Sequence, residues 1–308
     1  MIQLPESSND VPVPGLHMDT ELQSQPDCWE LAMRQASREQ LLPARGQRVA
    51  VVGCGTSWFM AQSYAAARES SGAGETDAYA ASEASAITTR AYDAVVAITR
   101  SGTTSEILAL IAGLKGKTPT VVIVGDLESP AAARADAVIG LPFADESSVV
   151  QTRFATSALV YLLSSVGLEL DSAVADAREA LRADTPAELH AAEQFSFLGS
   201  NWTIGLAHEA ALKMREGAQG WTESYPAMEY RHGPIAVAQQ GRVVWVLGQA
   251  PAGLREDVAA TGALYISTGA HPLADLARIH KITLDRARSL DLDPDFPRHL
   301  SRSVILEG

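Results

Sequence analysis

Short runs of β-branched residues alternate with longer stretches of mixed small and polar residues along most of the chain. Arg48–Gly53 (RVAVVG), Asp77–Ala81, Ala94–Thr99 (AVVAIT), Thr118–Val124 and Asp136–Leu141 predict strands. The first, third and fourth are nearly continuous apolar runs, as in parallel strands buried on both faces. Helices are predicted after CGTS (54–57) through about Ser70, after SGTT (101–104) to about Leu114, and over Val149–Val166, with a helical turn after ASE (81–83). Residues 1–16 are polar and rich in proline, which predicts a mobile arm. Residues 17–42 read as helical, broken at Gln25-Pro26.

A helical connector, 171–194, follows, and then the pattern restarts. Phe195–Gly199 answers Val49–Gly53, Val243–Leu247 answers Ala94–Thr99, and Leu264–Thr268 answers Thr120–Val124. Gly53 and Ala61 recur at the same offset as Gly199 and Ala207. The expected architecture is α/β: an arm and helix (1–47), one mostly parallel, helix-flanked domain (48–170), the connector, and a second copy (195–308).

The net charge of −13 and the lack of any basic run argue against nucleic acid and anionic membranes as partners. An anionic ligand would then be held by local dipoles and donors. Cys28 and Cys54 have no metal-ligand spacing and read as reduced thiols of a cytoplasmic protein, with no metal or cofactor expected. Residues 1–16 show no signal-peptide core, and the apolar stretch near Ala155–Leu170, interrupted by serines and Gly167, reads as a buried helix.

Two stretches carry candidate chemistry. In EAALKMRE (209–216), Glu209, Lys213 and Glu216 fall within roughly 60° of one another on a helical wheel. Leu206 and Leu212 flank them, and His208 and Arg215 form the expected water face. The helix therefore turns two carboxylates and an ammonium inward, an arrangement that clusters at functional sites. His232 follows in a Gly-Pro turn. The other stretch, Thr99-Arg100-Ser101-Gly102-Thr103-Thr104, ends a strand and opens a helix, where free N–H groups and hydroxyls suit a phosphate. A second hydroxyl turn, Gly55-Thr56-Ser57, ends another strand of the same domain, so the two converge at the carboxyl edge of the sheet. Neither fits a nucleotide P-loop or a dinucleotide fingerprint.

Read together, CGTS (54–57), ASE (81–83), SGTT (101–104), SVVQTRFATSALVYLL (148–163), EAALKMRE (209–216), YRHGP (230–234) and PRHLSRSVILE (297–307) resemble the sugar isomerase (SIS) family. The likeness is to the isomerase half of glutamine–fructose-6-phosphate transaminase and to stand-alone amino-sugar-phosphate isomerases and deaminases. It implies tandem SIS domains of flavodoxin-like, three-layer build and a sugar 6-phosphate ligand. The phosphate would lie among Ser57, Thr99, Ser101 and Thr104, with Thr56 and Arg100 beside them. The open-chain sugar would extend toward Gln151, Glu209, Glu216 and the tail around Arg302. Glu216 falls at the family's proton-transferring carboxylate and Lys213 at its partner lysine. His232 falls at the ring-opening histidine that a homodimer shares across its interface.

Two departures matter. These 308 residues include no glutaminase-type domain. Arg302 stands where the transaminase has an imine-forming lysine, and a guanidinium cannot play that part. The resemblance implies a phosphosugar isomerase or deaminase acting on an amino-sugar or fructosamine-type 6-phosphate. Plain aldose–ketose isomerisation and a sensor that binds without turnover are the alternatives. His190, His208, His271, His280 and His299 read as surface or helix-end histidines. Glu83 and Glu146 follow strands and face either the cleft or structural partners. Trp58 and Trp221 read as packing residues.

Overall fold

The computed structural model describes residues 13–306. Most of the expected arm (1–12) and the Glu307 end of the tail motif lie outside the described residues. From Leu16 the chain is helical. Helix α1 (Leu16–Ala36) runs unbroken through Pro26, against the expected break, and ends short of Leu42. An internal proline costs about 3 kcal/mol in an isolated helix. Here Gln25 and Pro26 are buried, and a polar bridge locks that turn in place: Trp29 Nε1 donates to Thr156 Oγ1 at 2.9 Å, and Thr156 Oγ1 donates to Gln25 Oε1 at 2.9 Å. Tertiary packing overrides the local penalty.

The first sheet follows: β1 (Val49–Gly53), α2 (Thr56–Ser70), β2 (Thr76–Ala80), β3 (Ala94–Thr99), α3 (Ser105–Leu114), β4 (Thr120–Val124), α4 (Pro130–Arg134), β5 (Ala137–Gly140) and α5 (Arg153–Ser165). A 3-10 stretch, Ala81–Thr88, joins β2 to β3. All pairings are parallel, in the order β2-β1-β3-β4-β5. Every residue of β1, β3 and β4 is buried, which is why their sequences are unbroken apolar runs. Helix α5 starts at Arg153, not Val149, so 148–152 is a loop carrying Gln151.

Helices α6 (Asp171–Arg182) and α7 (Ala187–Ala191) form the connector. The second sheet is built from β6 (Gln194–Gly199), α8 (Thr203–Ala218), β7 (Trp221–Pro226), β8 (Arg242–Leu247), α9 (Leu254–Ala260), β9 (Leu264–Ile266) and α10 (Pro272–Ser289). It too is wholly parallel, in the order β7-β6-β8-β9, matching the first four strands of the other sheet. One apolar cluster runs through both halves, from Trp29, Met60 and Phe154 to Leu206, Met214 and Leu276. Among the described residues no helix is long and apolar enough to cross a membrane.

The recurring Gly-to-Ala offset has a steric cause. A Cβ on Gly53 would lie 2.4 Å from the Ser57 carbonyl carbon, and one on Gly199 would lie 2.2 Å from the Thr203 carbonyl oxygen. In both halves the first strand ends directly beneath the first turn of the following helix. Gly199→Ala is expected to destabilise the protein by about 1–3 kcal/mol or more, since backbone must shift. Gly113→Ala, where a Cβ meets nothing within 4 Å in α3, is expected to be neutral or slightly stabilising. Denaturant midpoints compare the two, and equal midpoints would remove the steric argument.

Candidate active site

A cavity of about 200 Å³ opens at the carboxyl ends of β1 and β3. Its walls come from three directions: the start of α2 (Thr56, Ser57), the β3–α3 turn (Thr99, Arg100, Ser101, Thr104) with Gln151 nearby, and Lys213 and Glu216 of α8, with the tail around Arg302 closing over them. A parallel sheet aims its strand ends and the following helix N-termini at one place, so the two hydroxyl turns converge as expected.

The β3–α3 turn does not cap its own helix. Thr104 precedes α3 but its side chain makes no capping bond. Gly102 sits at φ +62°, and a Cβ there would lie 2.1 Å from Ser129 Oγ, so only glycine lets the turn nest on α4. Thr99 Oγ1 accepts from the Gly102 amide at 3.3 Å, and Ser101 Oγ accepts from the Thr103 amide at 3.3 Å. Gln151 faces the same space, and its buried Oε1 has no hydrogen-bond partner among the described residues.

Arg100 does not point to water; it lines the cleft, and its buried Nε has no hydrogen-bond partner among the described residues. Its buried guanidinium donates to the Ser148 carbonyl at 2.8 Å and to the Arg302 carbonyl at 2.9 Å. It is a strut that holds the tail over the cleft. Arg302 turns its own Nη2 to both oxygens of Asp145, at 2.9 and 3.1 Å. The tail also leans on the anion loop, where Val304 O accepts from the Ser105 amide at 3.3 Å and Thr103 Oγ1 donates to Ser303 Oγ at 3.0 Å.

On α8 the charged stripe is buried at its deep end and open at the cleft. The Lys213 side chain is 1% exposed and that of Glu216 21%. Lys213 Nζ pairs with Glu216 Oε2 and lies 3.6 Å from Glu209 Oε1. Glu209 does not line the cleft, contrary to expectation. It lies seven positions before Glu216, which on a helix is two turns or about 10 Å, so it is sealed beneath Lys213. Behind it stands His280 of α10, fully buried, with Nε2 3.7 Å from Glu209 Oε1 and neither ring nitrogen hydrogen-bonded. A file of four titratable groups thus runs inward from the cleft: Glu216, Lys213, Glu209, His280.

Burial pushes the Glu209 carboxyl up to about 8, with Lys213 opposing the rise. Burial also drives His280 well below the ordinary imidazole value, and the Lys213 charge adds to this. For Lys213 burial is the largest influence and lowers the pKa, but Glu209 and Glu216 together outweigh it and the ammonium is held above its usual value. At neutral pH the deep pair is then mostly uncharged, leaving Lys213 as the cationic partner of Glu216.

Proton linkage gives this a measurable consequence. The folded-state pKa of Glu209 is raised from 4.5 to about 8, so its contribution to stability is complete below the unfolded value and is lost as pH rises through the folded one. The depressed His280 contributes in the opposite sense: its share is present above 6.5 and lost as pH falls. Between pH 6.5 and 8 the Glu209 contribution is expected to fall by about 2 kcal/mol, at about 1.4 kcal/mol per pH unit. Denaturant titrations of the wild type and Glu209→Gln test this. An equal slope in both would clear Glu209 of the effect.

Other expectations need correction. His208 is not on a water face: it is half-buried, with its Nδ1 2.8 Å from Ser224 Oγ and its ring 5.4 Å from that of Phe59. His280 is no surface histidine. Of the two readings left open for Glu146 the structural one holds, since it is buried and accepts from the amides of Thr152 and Arg153 at 2.6 and 2.8 Å at the start of α5, while Glu83 is exposed. Trp221 is 56% exposed, with the Arg242 guanidinium 5.3 Å from its ring centre, and does not pack in a core. His232 ends a 3-10 turn (Glu229–His232), is exposed, and lies outside the cleft of this chain. Sequence reasoning missed the Asp145 partner of Arg302 and the His280 partner of Glu209, both of which only the fold brings near.

The SIS domain family model matches residues 41–165. The chain is 26% identical over 298 residues to glutamine–fructose-6-phosphate aminotransferase [isomerizing] of Sulfurisphaera tokodaii, covering 85% of this chain and 50% of that protein. It is 32% identical over 178 residues to the protein of the same description from Aeropyrum pernix, covering 50% and 29% respectively. The chain thus spans about half the length, or less, of the curated relatives it matches. Among solved structures it resembles glucosamine-6-phosphate deaminase from Thermotoga maritima, with TM-score 0.77, 23% identity and coverage of 94% of this chain and 99% of the other. It also resembles tagatose-6-phosphate ketose/aldose isomerase from Escherichia coli, with TM-score 0.76, 16% identity and coverage of 96% and 97%. At such identities the structural likeness is one of fold.

Proposed function

We propose that this protein is a phosphosugar isomerase or deaminase of SIS type, acting on an amino-sugar or fructosamine-type 6-phosphate by 1,2-proton transfer on the open-chain sugar. One observation carries the reading: Glu216, paired with Lys213, opens onto the same cleft as the hydroxyl turns at the ends of β1 and β3. A phosphate among Ser57, Thr99, Ser101 and Thr104 would share one cleft with Glu216. The repeated strand order supports reading residues 195–308 as a second SIS lobe.

With glucosamine 6-phosphate, His232 assists ring opening. Glu216 takes the proton from C2, and the electron pair of that bond shifts toward the neighbouring carbon. Return of the proton to C1 leaves an imine at C2. Water adds at C2, the C2–N bond breaks, and ammonia and fructose 6-phosphate leave. Lys213, paired with Glu216, holds the carboxylate at the cleft. The substrate brings its own nitrogen, so the chain needs no imine-forming lysine at position 302.

The exposed position of His232, outside the cleft of its own chain, supports a homodimer in which a second copy supplies it. Two free cysteines fit a cytoplasmic setting. The Arg302–Asp145 lock favours one other reading, a sensor that binds sugar phosphate without turnover. Incubation with glucosamine 6-phosphate in heavy water separates the possibilities. Deuterium in the sugar with ammonia release supports the deaminase, and deuterium without ammonia indicates plain isomerisation. Saturable binding with neither identifies a sensor.

A further inference from the structure

The file Glu216, Lys213, Glu209, His280 ends in two groups that the reaction above does not use. Glu209 and His280 are wholly buried, with Oε1 of one 3.7 Å from Nε2 of the other. Neither the carboxyl oxygens nor the ring nitrogens have a hydrogen-bond partner among the described residues. Buried polar atoms left unmatched are rare in folded proteins and need a reason. The other elements packed around them bring no rival charge. Helix α6 buries only Ala173, Val174, Ala177 and Leu181 against α10, and α7 and β8 bury Leu189 and the apolar run Val243–Leu247. Glu21 of α1 is committed to the Ser148 amide at 3.2 Å. Helix α2 brings Thr56 near Glu209 and keeps Tyr64 beside Arg68. In β7, Glu223 and Tyr225 face each other. The charges that reach the file are Arg215 on α8 and, at Lys213, Glu146.

A neutral imidazole has one donor and one acceptor nitrogen, and a carboxyl group donates only when protonated. Two arrangements therefore match the pair. In one, Nε2–H donates to a Glu209 carboxylate. Two carboxylates then share the single Lys213 ammonium, and the dry interior holds an uncompensated negative charge, which is costly. In the other, the Glu209 O–H donates to a bare Nε2, and the file carries one anion, Glu216, and one cation, Lys213. Burial favours the second, since it pushes the Glu209 carboxyl up to about 8. A side-chain shift of roughly 1 Å brings the two atoms to hydrogen-bond length.

We propose that His280 is a positioning residue for proton transfer by Glu216: its Nε2 accepts the Glu209 proton, and the acid thus kept neutral leaves the Lys213 ammonium to Glu216. This rests on the function proposed above and adds a residue to it. His280 does not line the cleft. It acts through Glu209 and Lys213. When Glu209 loses its proton, its carboxylate stands 3.6 Å from Lys213 Nζ and competes with Glu216 for one ammonium. Glu216 then loses the contact that holds it at the cleft, and proton transfer slows. Glu209 is protonated below about 8 and ionised above it. Activity that depends on a fixed Glu216 is therefore present on the acid side and falls as pH rises through that value.

The test is the pH profile of ammonia release from glucosamine 6-phosphate, with kcat and KM read separately. In the wild type kcat is expected to fall above about pH 8 while KM stays steady. His280→Leu removes the acceptor of the Glu209 proton. The fall should then begin about one pH unit lower, the worth of one neutral hydrogen bond. Added desolvation offsets little of this, because Glu209 is already wholly buried. His280→Gln keeps an acceptor and should recover most of the shift. Glu209→Gln has no proton to lose and should show no fall in this range. A merely structural His280 would lower the melting temperature and leave the profile in place. Should His280→Leu not fold, His280→Gln and Glu209→Gln decide. A His280→Leu profile that coincides with the wild type, or a fall that persists in Glu209→Gln, overturns the positioning role and leaves the phosphosugar reading standing. If the wild type neither binds nor turns over glucosamine 6-phosphate, the broader reading fails and this role with it.

Discussion

Glu216→Gln is expected to lower turnover of glucosamine 6-phosphate by about 10²–10⁴-fold, the usual worth of a positioned acid–base group. Glutamine keeps the size of the side chain and its place at the cleft, but it cannot take or return a proton. KM should change much less, since the proposed phosphate contacts come from other residues that line the cleft. The substitution also removes the partner of a buried ammonium. Lys213 would be left with Glu209, 3.6 Å away, and the energetic remedy is for Glu209 to ionise. The stability slope assigned to Glu209 should therefore move to lower pH in this variant, separating loss of chemistry from loss of fold. Near wild-type ammonia release by folded Glu216→Gln would remove the carboxylate from the mechanism.

What the sequence disclosed follows from what each residue answers to. β1, β3 and β4 were legible because burial on both faces leaves an unbroken apolar signature. The two hydroxyl turns were legible because strand ends and helix starts are local features. β7 was missed because WTESYP has no apolar run, and only Thr222 in it is buried. α10 was missed although Leu273, Leu276, Ala277, His280, Leu284 and Ala287 keep a helical spacing. That helix supplies His280, so the deepest of the four titratable groups went unread with it. Pro26 misled because its local penalty is outweighed by contacts with α5, far along the chain. Arg100 was ambiguous for the same reason: its partners, the carbonyls of Ser148 and Arg302, are fixed only by the folded tail. Glu209 was placed at the ligand because a wheel gives the face of a residue and not its depth.

Removing the phosphate from the substrate should have an effect as large as any single substitution in the cleft. The proposed phosphate site draws mainly on hydroxyls and backbone amides, since both terminal nitrogens of the Arg100 guanidinium are committed to carbonyls. Each charge-assisted hydrogen bond contributes about 1.5–3 kcal/mol. Three of them, offset by desolvation and by a protein of net charge −13, leave about 4 kcal/mol, or roughly 10³ in kcat/KM, between glucosamine 6-phosphate and glucosamine. Ser101→Ala should give back about one such bond, a tenfold or greater loss. Gly102→Ala should cost at least as much, because its Cβ would collide with Ser129 Oγ at 2.1 Å and push the turn off α4. Salt gives an independent check. A site built on free arginines or lysines binds a dianion less well as ionic strength rises. Here neutral donors work against a repulsive overall field, so screening should lower KM for the phosphate ester, or leave it flat. Similar kcat/KM values for the sugar and its phosphate, or a KM that climbs steeply with salt, would move the anion site away from the β1 and β3 turns.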